Sequence, residues 1–566
     1  SDTPYIKTAT SHGGKRTIIA KEKPRSGIAP DDWGGEGALD NAFTRYSTEV
    51  HFSNISTKIN VTRDKIENLG QLEVPKGALI GEVPICAVEN TAAATVQAIK
   101  KRCDFKPLPF DEETFKRGHQ LLMDKFRPLD PIKIGPEDME RFLEDYCSPE
   151  KKKELVACLE TGYLYSDGER KHVFAKNEVL IKPHGSPPRV IYQGTAMYNL
   201  LFGCVTNILS ERMKQVFSMD NPLNVGNVVI YGCGVAMEKI AETIDMFPGI
   251  SVESDMKSND ATQNGAMRKY EAMFYKKLGA PDWFVREFAR NTSVDIWTRY
   301  GVAARIENNQ RWSGETTTTT GNTYVGTCNG LGALDDAGVS ESLNVHGGDD
   351  HLLILRTEDA RRCIESIPRN ASKVGMIAEV TVPTSRIGGT FYRKRFLTDA
   401  NGGHCIPQFG RVLAKLNVRA NKNAKINDRD YMAGKYLSAA YEHRHVPLIR
   451  DILLKYSGFM SKDPYLDERT TKLKEMGGAS GINKIIEETV PISVGDMCHY
   501  TDEIYASRFE DVCALYVQMA STCMDFLEGY TIQGPHGKVY TKLGYIPPSV
   551  RGDTCSALIA VDLGIT

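Results

Sequence analysis

The stretch Asn344-Val345-His346-Gly347-Gly348-Asp349-Asp350-His351-Leu352-Leu353-Ile354-Leu355 constrains this chain more than any other. Two runs able to form strands flank a glycine pair. Glycine supplies the backbone geometry of a tight turn, so the stretch reads as a β-hairpin carrying two carboxylates at its bend. Adjacent carboxylates repel unless a cation intervenes. Mg2+ is commonly held by a few carboxylates and completed by water and phosphate, which makes the bend a candidate metal site. Gly-Asp-Asp turns also occur in solvated loops, so the reading depends on what the rest of the chain supplies.

At 566 residues the chain exceeds one simple core and calls for several substructures or one multi-lobed enzyme. The formal net charge is only −2, but an acidic centre and a basic channel cancel in such a sum, and a nucleic-acid partner is not excluded. Thirteen scattered cysteines without a Cys-x-x-Cys pair read as reduced, mostly buried thiols rather than a zinc site. No apolar run approaches a membrane span, and the segment from Ser1 has no signal-peptide pattern.

Along the chain, residues 1–85 read as strands and long connections, with short alternating runs at Arg16–Ala20 and Val50–Phe52. Helices are expected at Asn90–Lys101, Asp111–Phe126, Glu137–Tyr146 and Pro149–Leu159, each starting near a residue able to cap it. The Pro/Gly-rich segment Lys176–Gln193 is extended and punctuated by Lys176, Lys182 and Arg189. Recurrent cations on extended backbone suit phosphate contact, though a solvated basic loop has the same composition. Helices over 200–216 and 236–246 precede a strand Ile250–Asp255, and Asp260 can fold back toward its end before a helix Gln263–Leu278. The run Ser313-Gly314-Glu315-Thr316-Thr317-Thr318-Thr319-Thr320-Gly321-Asn322-Thr323 holds five consecutive threonines, poor helix formers. It reads either as a Thr-rich strand or turn, or as a flexible loop entering a polar helix face that presents Ser313, Thr318 and Asn322 to a hydroxylated ligand.

Taken in order, these stretches resemble the motifs of RNA-dependent RNA polymerases of positive-strand RNA viruses. Lys176-x-Glu178 through Lys182 and Arg189-Val190-Ile191 is similar to the basic fingertip motif F, Asp255-x-x-x-x-Asp260 to motif A, Ser313-Gly314-x-x-x-Thr318-x-x-x-Asn322-Thr323 to motif B, and Gly348-Asp349-Asp350 to motif C. Phe391–Phe396 resembles motif E, a hairpin between palm and thumb. The form of motif B leans toward the tombusvirus, nodavirus and flavivirus-like branch. The region where a motif D lysine is expected aligns only through Lys373, and motif G has no match in the N-terminal third.

The resemblance implies an α+β right-hand architecture with fingers, an RRM-like antiparallel palm and an α-rich thumb. It divides the chain into an N-terminal extension and fingers (1–240), palm with motif A (241–266), further fingers (267–312), palm with motifs B to E (313–400), and thumb with the C-terminal segment (401–566). It implies two Mg2+ ions, replaceable by Mn2+, on Asp255 and Asp349, with Asp350 in support and the Met256 carbonyl as a further contact. Lys176, Lys182 and Arg189 would hold the triphosphate, while Asp260, Ser313, Thr318 and Asn322 would surround the incoming ribonucleotide. Arg393, Lys394, Arg395, Arg411, Lys415 and Arg419 would follow the RNA template and product duplex, and Lys373 is a candidate general acid. Other viral replication proteins and host membranes are further expected partners, in membrane-associated complexes of the host cytoplasm. The segment from Gly544 is expected to pack back toward the cleft.

Three rivals remain. A reverse transcriptase shares paired aspartates but usually carries a bulky aromatic gate where Asp260 and Asn322 stand. A structural RNA-binding protein gives no reason to keep three metal-site aspartates, and a two-metal nuclease gives none for the Ser-Gly/Thr/Asn stretch.

Overall fold

A computed structural model describes residues 5–10, 16–21, 49–52, 56–59, 85–87, 92–150, 152–153, 156, 168–176, 178–181, 187–290, 293–298, 302–307, 309–419, 425–466, 475–529, 531–533, 539–541 and 553–564. Its centre is a five-stranded sheet, whose strands are numbered here β1 (Asn227–Tyr231), β2 (Ile250–Lys257), β3 (Ser342–Gly347), β4 (Asp350–Leu355) and β5 (Ile377–Thr381), in the order β5-β2-β4-β3-β1. Every neighbouring pair is antiparallel except β3 and β1.

Both faces of this sheet are covered, which explains the unbroken apolar run Leu352–Leu355. Leu353 and Leu355 face one core, with Val229, Tyr231 and Val252, against the helices Ala196–Val216, Gly265–Lys277 and Thr318–Asp336. Leu352 and Ile354 alternate to the other face, with Val228, Ile230, Leu343 and Val345, against the helix Met237–Asp245 and the hairpin Lys394–Asp399/Gly402–Pro407. A strand buried on both sides loses the polar alternation that a one-sided strand keeps.

A second five-stranded sheet, ordered Ser56–Ile59, Val302–Ile306, Val294–Trp297, Arg170–Ala175 and Val190–Gln193, packs with the helix Ala92–Cys103 around Trp312 and Tyr192. Beyond the hairpin come the helices Phe409–Leu416, Asp428–Glu442, Ile449–Met460, Gly478–Glu488, Val494–Tyr505, Phe509–Gly529 and Asp553–Leu563, gathered around one apolar core. The helix expected at Pro149–Leu159 lies mostly outside the described residues. The hairpin expected at Phe391–Phe396 falls later: Phe391–Lys394 is a tight turn, and the paired strands follow it. The described cysteines are free and mostly buried.

The threonine run follows the second of its two readings, a short loop that enters a helix. A helix begins at Thr318 inside it and continues to Asp336. Threonine hydroxyls bond back within the helix, Thr323 Oγ1 donating to the Thr319 carbonyl and Thr327 Oγ1 to the Thr323 carbonyl, both at 2.7 Å. Burial on almost every side of this helix outweighs the weak propensity of threonine. Gly321 is required by close approach, since a Cβ there would meet the Arg311 guanidinium at 2.3 Å.

Candidate active site

The β3–β4 register, Gly347 opposite Asp350, leaves Gly348 and Asp349 as a two-residue turn. Gly348 has φ 58°, the conformation that a glycine at the first turn position supplies. Its N–H donates to Thr323 Oγ1 at 2.9 Å, which pins the turn to the Thr318–Asp336 helix. Because Ser254 pairs with His351, β2 brings Asp255 alongside this bend. Ser258, left-handed at φ 51°, then reverses the chain into a short helix, Asn259–Thr262, which returns Asp260 to the same cleft. Asp255, Asp349 and Asp350 line one cavity of about 920 Å³. Asp349 also lines a second of about 440 Å³, together with Met256, Asp260 and Ser313.

The electrostatics of the acids is unresolved within the protein. Burial and then the Asp349 charge raise the Asp255 pKa. The same two causes push Asp350 up to about 6, against a hydrogen bond from the Tyr392 N–H at 3.1 Å. Burial also raises Asp260, which accepts from Asn322 Nδ2 at 2.9 Å. Among the described residues only Glu238, Cys405 and His445, elsewhere in the fold, bring three metal-competent ligand atoms within 4.8 Å of one another. The three aspartates share one cavity.

Cations line the facing walls. Lys176, Arg189, Arg393, Arg411 and Lys415 border the smaller cavity, and Arg189, Arg393 and Arg411 the larger one as well. Arg189 and Lys176 lie 3.5 and 3.7 Å from Glu178. Arg393 comes from a turn in which Tyr392 and Arg393 have φ 50° and 59°. Two left-handed non-glycine residues cost roughly 1–2 kcal/mol each, and the strain aims the guanidinium into both cavities. Burial followed by the neighbouring Arg393 lowers the pKa of both Arg411 and Lys415.

Several expected residues fall elsewhere. Arg395 is 3% exposed and bonded to Asp562 Oδ1 at 2.8 Å, so its charge is spent inside the protein even though it borders the larger cavity. Arg419 is buried and paired with Asp428 at 2.5 Å, and Lys394 is ion-paired with Glu442. These three are structural cations and not an RNA-facing surface. Thr318 Oγ1 is engaged by its own loop, donating toward the Trp312 and Glu315 carbonyls and accepting from the Gly314 N–H, so it shapes the loop instead of presenting a hydroxyl. Lys373 is exposed at the end of the helix Thr357–Lys373 and lines neither cavity. Lys182 lies outside the described residues.

Other participants were missed in the sequence. Lys101 and Arg102, in the basic last turn of the helix Ala92–Cys103, line the smaller cavity with Gln310; their clustering reads by itself as a complement to the helix dipole. Behind Asn322, Gln263 Nε2 donates to its Oδ1 at 2.8 Å, Arg311 Nε donates to Gln263 Oε1 at 3.0 Å, and Arg311 pairs with buried Glu271. Only the Arg311–Glu315 spacing of four residues hinted at this network. The helix Asp553–Leu563 reaches the larger cavity through Val561, Asp562 and Leu563, as expected of the final segment.

Residues 181–443 match the model of the RNA dependent RNA polymerase family, a stretch that includes Asp255, Asp260, Ser313, Asn322, Asp349 and Asp350. The match indicates an RNA-directed RNA polymerase, a nucleotidyltransferase of viral RNA replication. No curated protein matches the chain.

Proposed function

We propose that the chain copies an RNA template by two-metal nucleotidyl transfer in the replication of a viral RNA genome. The observation that carries this reading is the opposed charge of the cleft: Asp255, Asp349 and Asp350 share one cavity with Arg189, Arg393 and Arg411. Such a cleft favours a ligand that brings divalent cations to one wall and phosphate oxygens to the other. Asp255, Asp349 and Asp350 are hard oxygen donors of the kind that suits Mg2+; Asp255 and Asp349 would be the principal ligands, with Asp350 in support and the Met256 carbonyl as a further contact. When bound there, two Mg2+ ions, or Mn2+ in their place, supply charge neutralisation of the triphosphate and activation of the attacking 3′-hydroxyl.

The chain's own groups orient and select. Arg189 and Lys176, with Lys182 on sequence grounds, hold the triphosphate and stabilise charge on departing pyrophosphate. Asp260, held by Asn322, accepts from the ribose 2′-hydroxyl, with Ser313 at the cavity wall; a site built to bond a hydroxyl rejects the sugar lacking it. Arg393, Arg411 and Lys415 follow the backbone of the A-form product, recognising shape and phosphate.

In this reading 1–240 and 267–312 form the fingers, 241–266 and 313–400 the palm, and 401–566 the thumb and C-terminal segment. The form of motif B supports the tombusvirus, nodavirus and flavivirus-like branch. No described helix is long and apolar enough to cross a membrane. Attachment to replication membranes of the host cytoplasm would go through a partner protein or a further segment.

The test is incorporation of labelled ribonucleotides on an RNA template with Mg2+ or Mn2+, comparing the chain with Asp349→Ala. Template-dependent synthesis abolished by the substitution is expected. Synthesis that survives it would refute the assignment of the metal-binding aspartates.

A further inference from the structure

Behind Asp260, side chains and main chain close a ring of hydrogen bonds. Asp260 Oδ1 accepts from Asn322 Nδ2 at 2.9 Å, Asn322 Oδ1 accepts from Gln263 Nε2 at 2.8 Å, and Gln263 Oε1 accepts from Arg311 Nε at 3.0 Å. The main-chain N–H of Arg311 donates to the Asp260 carbonyl at 2.9 Å, which brings the ring back to its start. Gln263, Arg311 and Asn322 are buried, and of the four residues Asp260 is the one that lines the smaller cavity.

Such a ring can run in two directions. A carboxamide presents oxygen at one end and NH2 at the other, so Gln263 and Asn322 could turn over together. In that reversed state Asn322 Oδ1 would face Asp260, which could meet it only by keeping a proton and donating. Burial raises the Asp260 pKa and so favours the proton. Arg311 forbids the reversal. A guanidinium donates and never accepts, and it stays charged inside proteins. Gln263 must therefore turn its oxygen to Arg311 and its NH2 to Asn322, and Asn322 must turn its NH2 to Asp260. Arg311 is itself fixed: Nη1 donates to Glu271 Oε1 at 3.0 Å, Nη2 pairs with Glu271 Oε2, and Glu315 lies 3.6 Å away. Tyr275 OH donates to the same Glu271 oxygen at 2.6 Å and holds that carboxylate in turn.

We propose that Arg311 is a positioning residue for sugar selection: through Gln263 and Asn322 it fixes Asp260 as a hydrogen-bond acceptor, so that the site takes a nucleotide whose ribose hydroxyl donates. The inference rests on the polymerase reading and names what enforces its choice of sugar. A deoxyribonucleotide brings no donor to Asp260 and leaves the carboxylate desolvated and unpaired. Arg311 touches no substrate and acts only through the two amides. Were its role limited to pairing with Glu271 or filling space, the direction of those amides would have no consequence for the sugar.

The test reverses one link without emptying the site. Gln263→Glu keeps the length of the side chain and accepts from Arg311, whose charge holds the new carboxyl ionised. It cannot donate to Asn322, which must then turn its NH2 to position 263 and its oxygen to Asp260. Gln263→Ala removes the link and leaves Asn322 free to keep its orientation. Single-turnover extension on an RNA template by the full chain, with matched ribo- and deoxyribonucleotides, gives the ratio of kcat/KM, and thermal melting confirms the fold of each variant. Gln263→Glu is expected to lower the ratio by about 10-fold or more, and Gln263→Ala by less, the reverse of the order that space-filling alone dictates. A ratio preserved in Gln263→Glu, or a larger loss in Gln263→Ala, overturns the inference and leaves the polymerase reading standing. A parent chain that makes no RNA overturns the reading and the inference together. Should Gln263→Glu fail to fold, Gln263→Met fills similar space without hydrogen bonds, and an unchanged ratio there overturns the inference.

Discussion

Replacing Asn322 by alanine probes how the site chooses its sugar. The amide is committed at both ends: Nδ2 donates to Asp260 Oδ1 at 2.9 Å, and Oδ1 accepts from Gln263 Nε2 at 2.8 Å. Its main service is to hold the Asp260 carboxylate toward the cavity. A hydroxyl donating to a carboxylate contributes about 1.5–3 kcal/mol, equivalent to roughly 10- to 150-fold in relative rate. Without Asn322 the carboxylate loses its orienting partner, so discrimination between ribo- and deoxyribonucleotides should fall by about 10-fold or more, up to that ceiling. Ribonucleotide turnover should fall less. The Asn322 hydrogen bond also opposes the burial that raises the Asp260 pKa, so its loss should move the acid limb of ribonucleotide incorporation to higher pH. The assay is single-turnover extension with matched ribo- and deoxyribonucleotides, read as a ratio of kcat/KM. Gln263→Ala, which removes only the outer link, should shift the ratio the same way by less. Equal losses with both sugars would make Asn322 a scaffold residue and refute the ribose assignment.

Three further outcomes are expected. Since burial and Asp349 push Asp350 up to about 6, the folded chain keeps this proton longer than the unfolded one, and stability falls as pH rises from the ordinary carboxylate range through that value. Asp350→Asn should therefore stabilise the chelator-treated protein above about pH 6, by on the order of 2–3 kcal/mol at most. The gain should vanish below about pH 4, and equal melting of variant and parent at both pH values would refute it. Thr323→Val removes the hydroxyl that accepts from the Gly348 N–H, a loss of about 0.5–1.5 kcal/mol; turnover should drop roughly 3- to 10-fold with little change in melting. Unchanged turnover would show that the turn holds itself. Asp562→Ala strands the buried Arg395 charge, Tyr505 OH and the Gly410 N–H, which donate to Asp562 at 2.8, 2.7 and 2.8 Å. Breaking a buried pair costs about 3–5 kcal/mol, so hydrogen exchange over Asp553–Leu563 should rise steeply, and unaltered exchange would exclude that anchor.

The parts legible in the sequence were those whose signal is local. The turn at Gly348-Asp349, the strand ending near Asp255 and the expected helices over 111–126 and 263–278 each carry their own glycine, alternation or cap, and the corresponding elements form within a few residues of those limits. A helix entered near Thr318 was one of two readings of the threonine run; the sequence left the choice open because propensity argued against the helix and burial decided for it. The tight turn at Tyr392-Arg393 was illegible for the opposite reason: left-handed backbone is normally announced by glycine or asparagine, and here the neighbouring Asp350 holds the turn through the Tyr392 N–H. Lys101 and Arg102 reach the cleft from more than 150 residues upstream of Asp255, a distance that no spacing argument covers.

The cations show where sequence reading loses its power to sort. Arg393, Lys394 and Arg395 are consecutive and look interchangeable. Yet Lys394 pairs with Glu442 and Arg395 with Asp562, whereas among the described residues Arg393 forms no ion pair and faces both cavities. The division follows from desolvation. A charge placed permanently in the interior survives only with a partner, so scaffold ions come as pairs: Arg395 with Asp562, and Arg311 with Glu271. Where a half-buried charge lacks such a partner, the cost of its burial shows as a displaced pKa. Arg411 and Lys415 are displaced downward, while Asp255 and Asp350 are displaced upward across the same cleft. The two walls leave each other's frustration standing because their charges do not meet as ion pairs in the described structure. Divalent metal alone should lower the pKa of the acids and phosphate alone should raise that of the cations, and a ligand carrying cations and phosphates together relieves both walls at once.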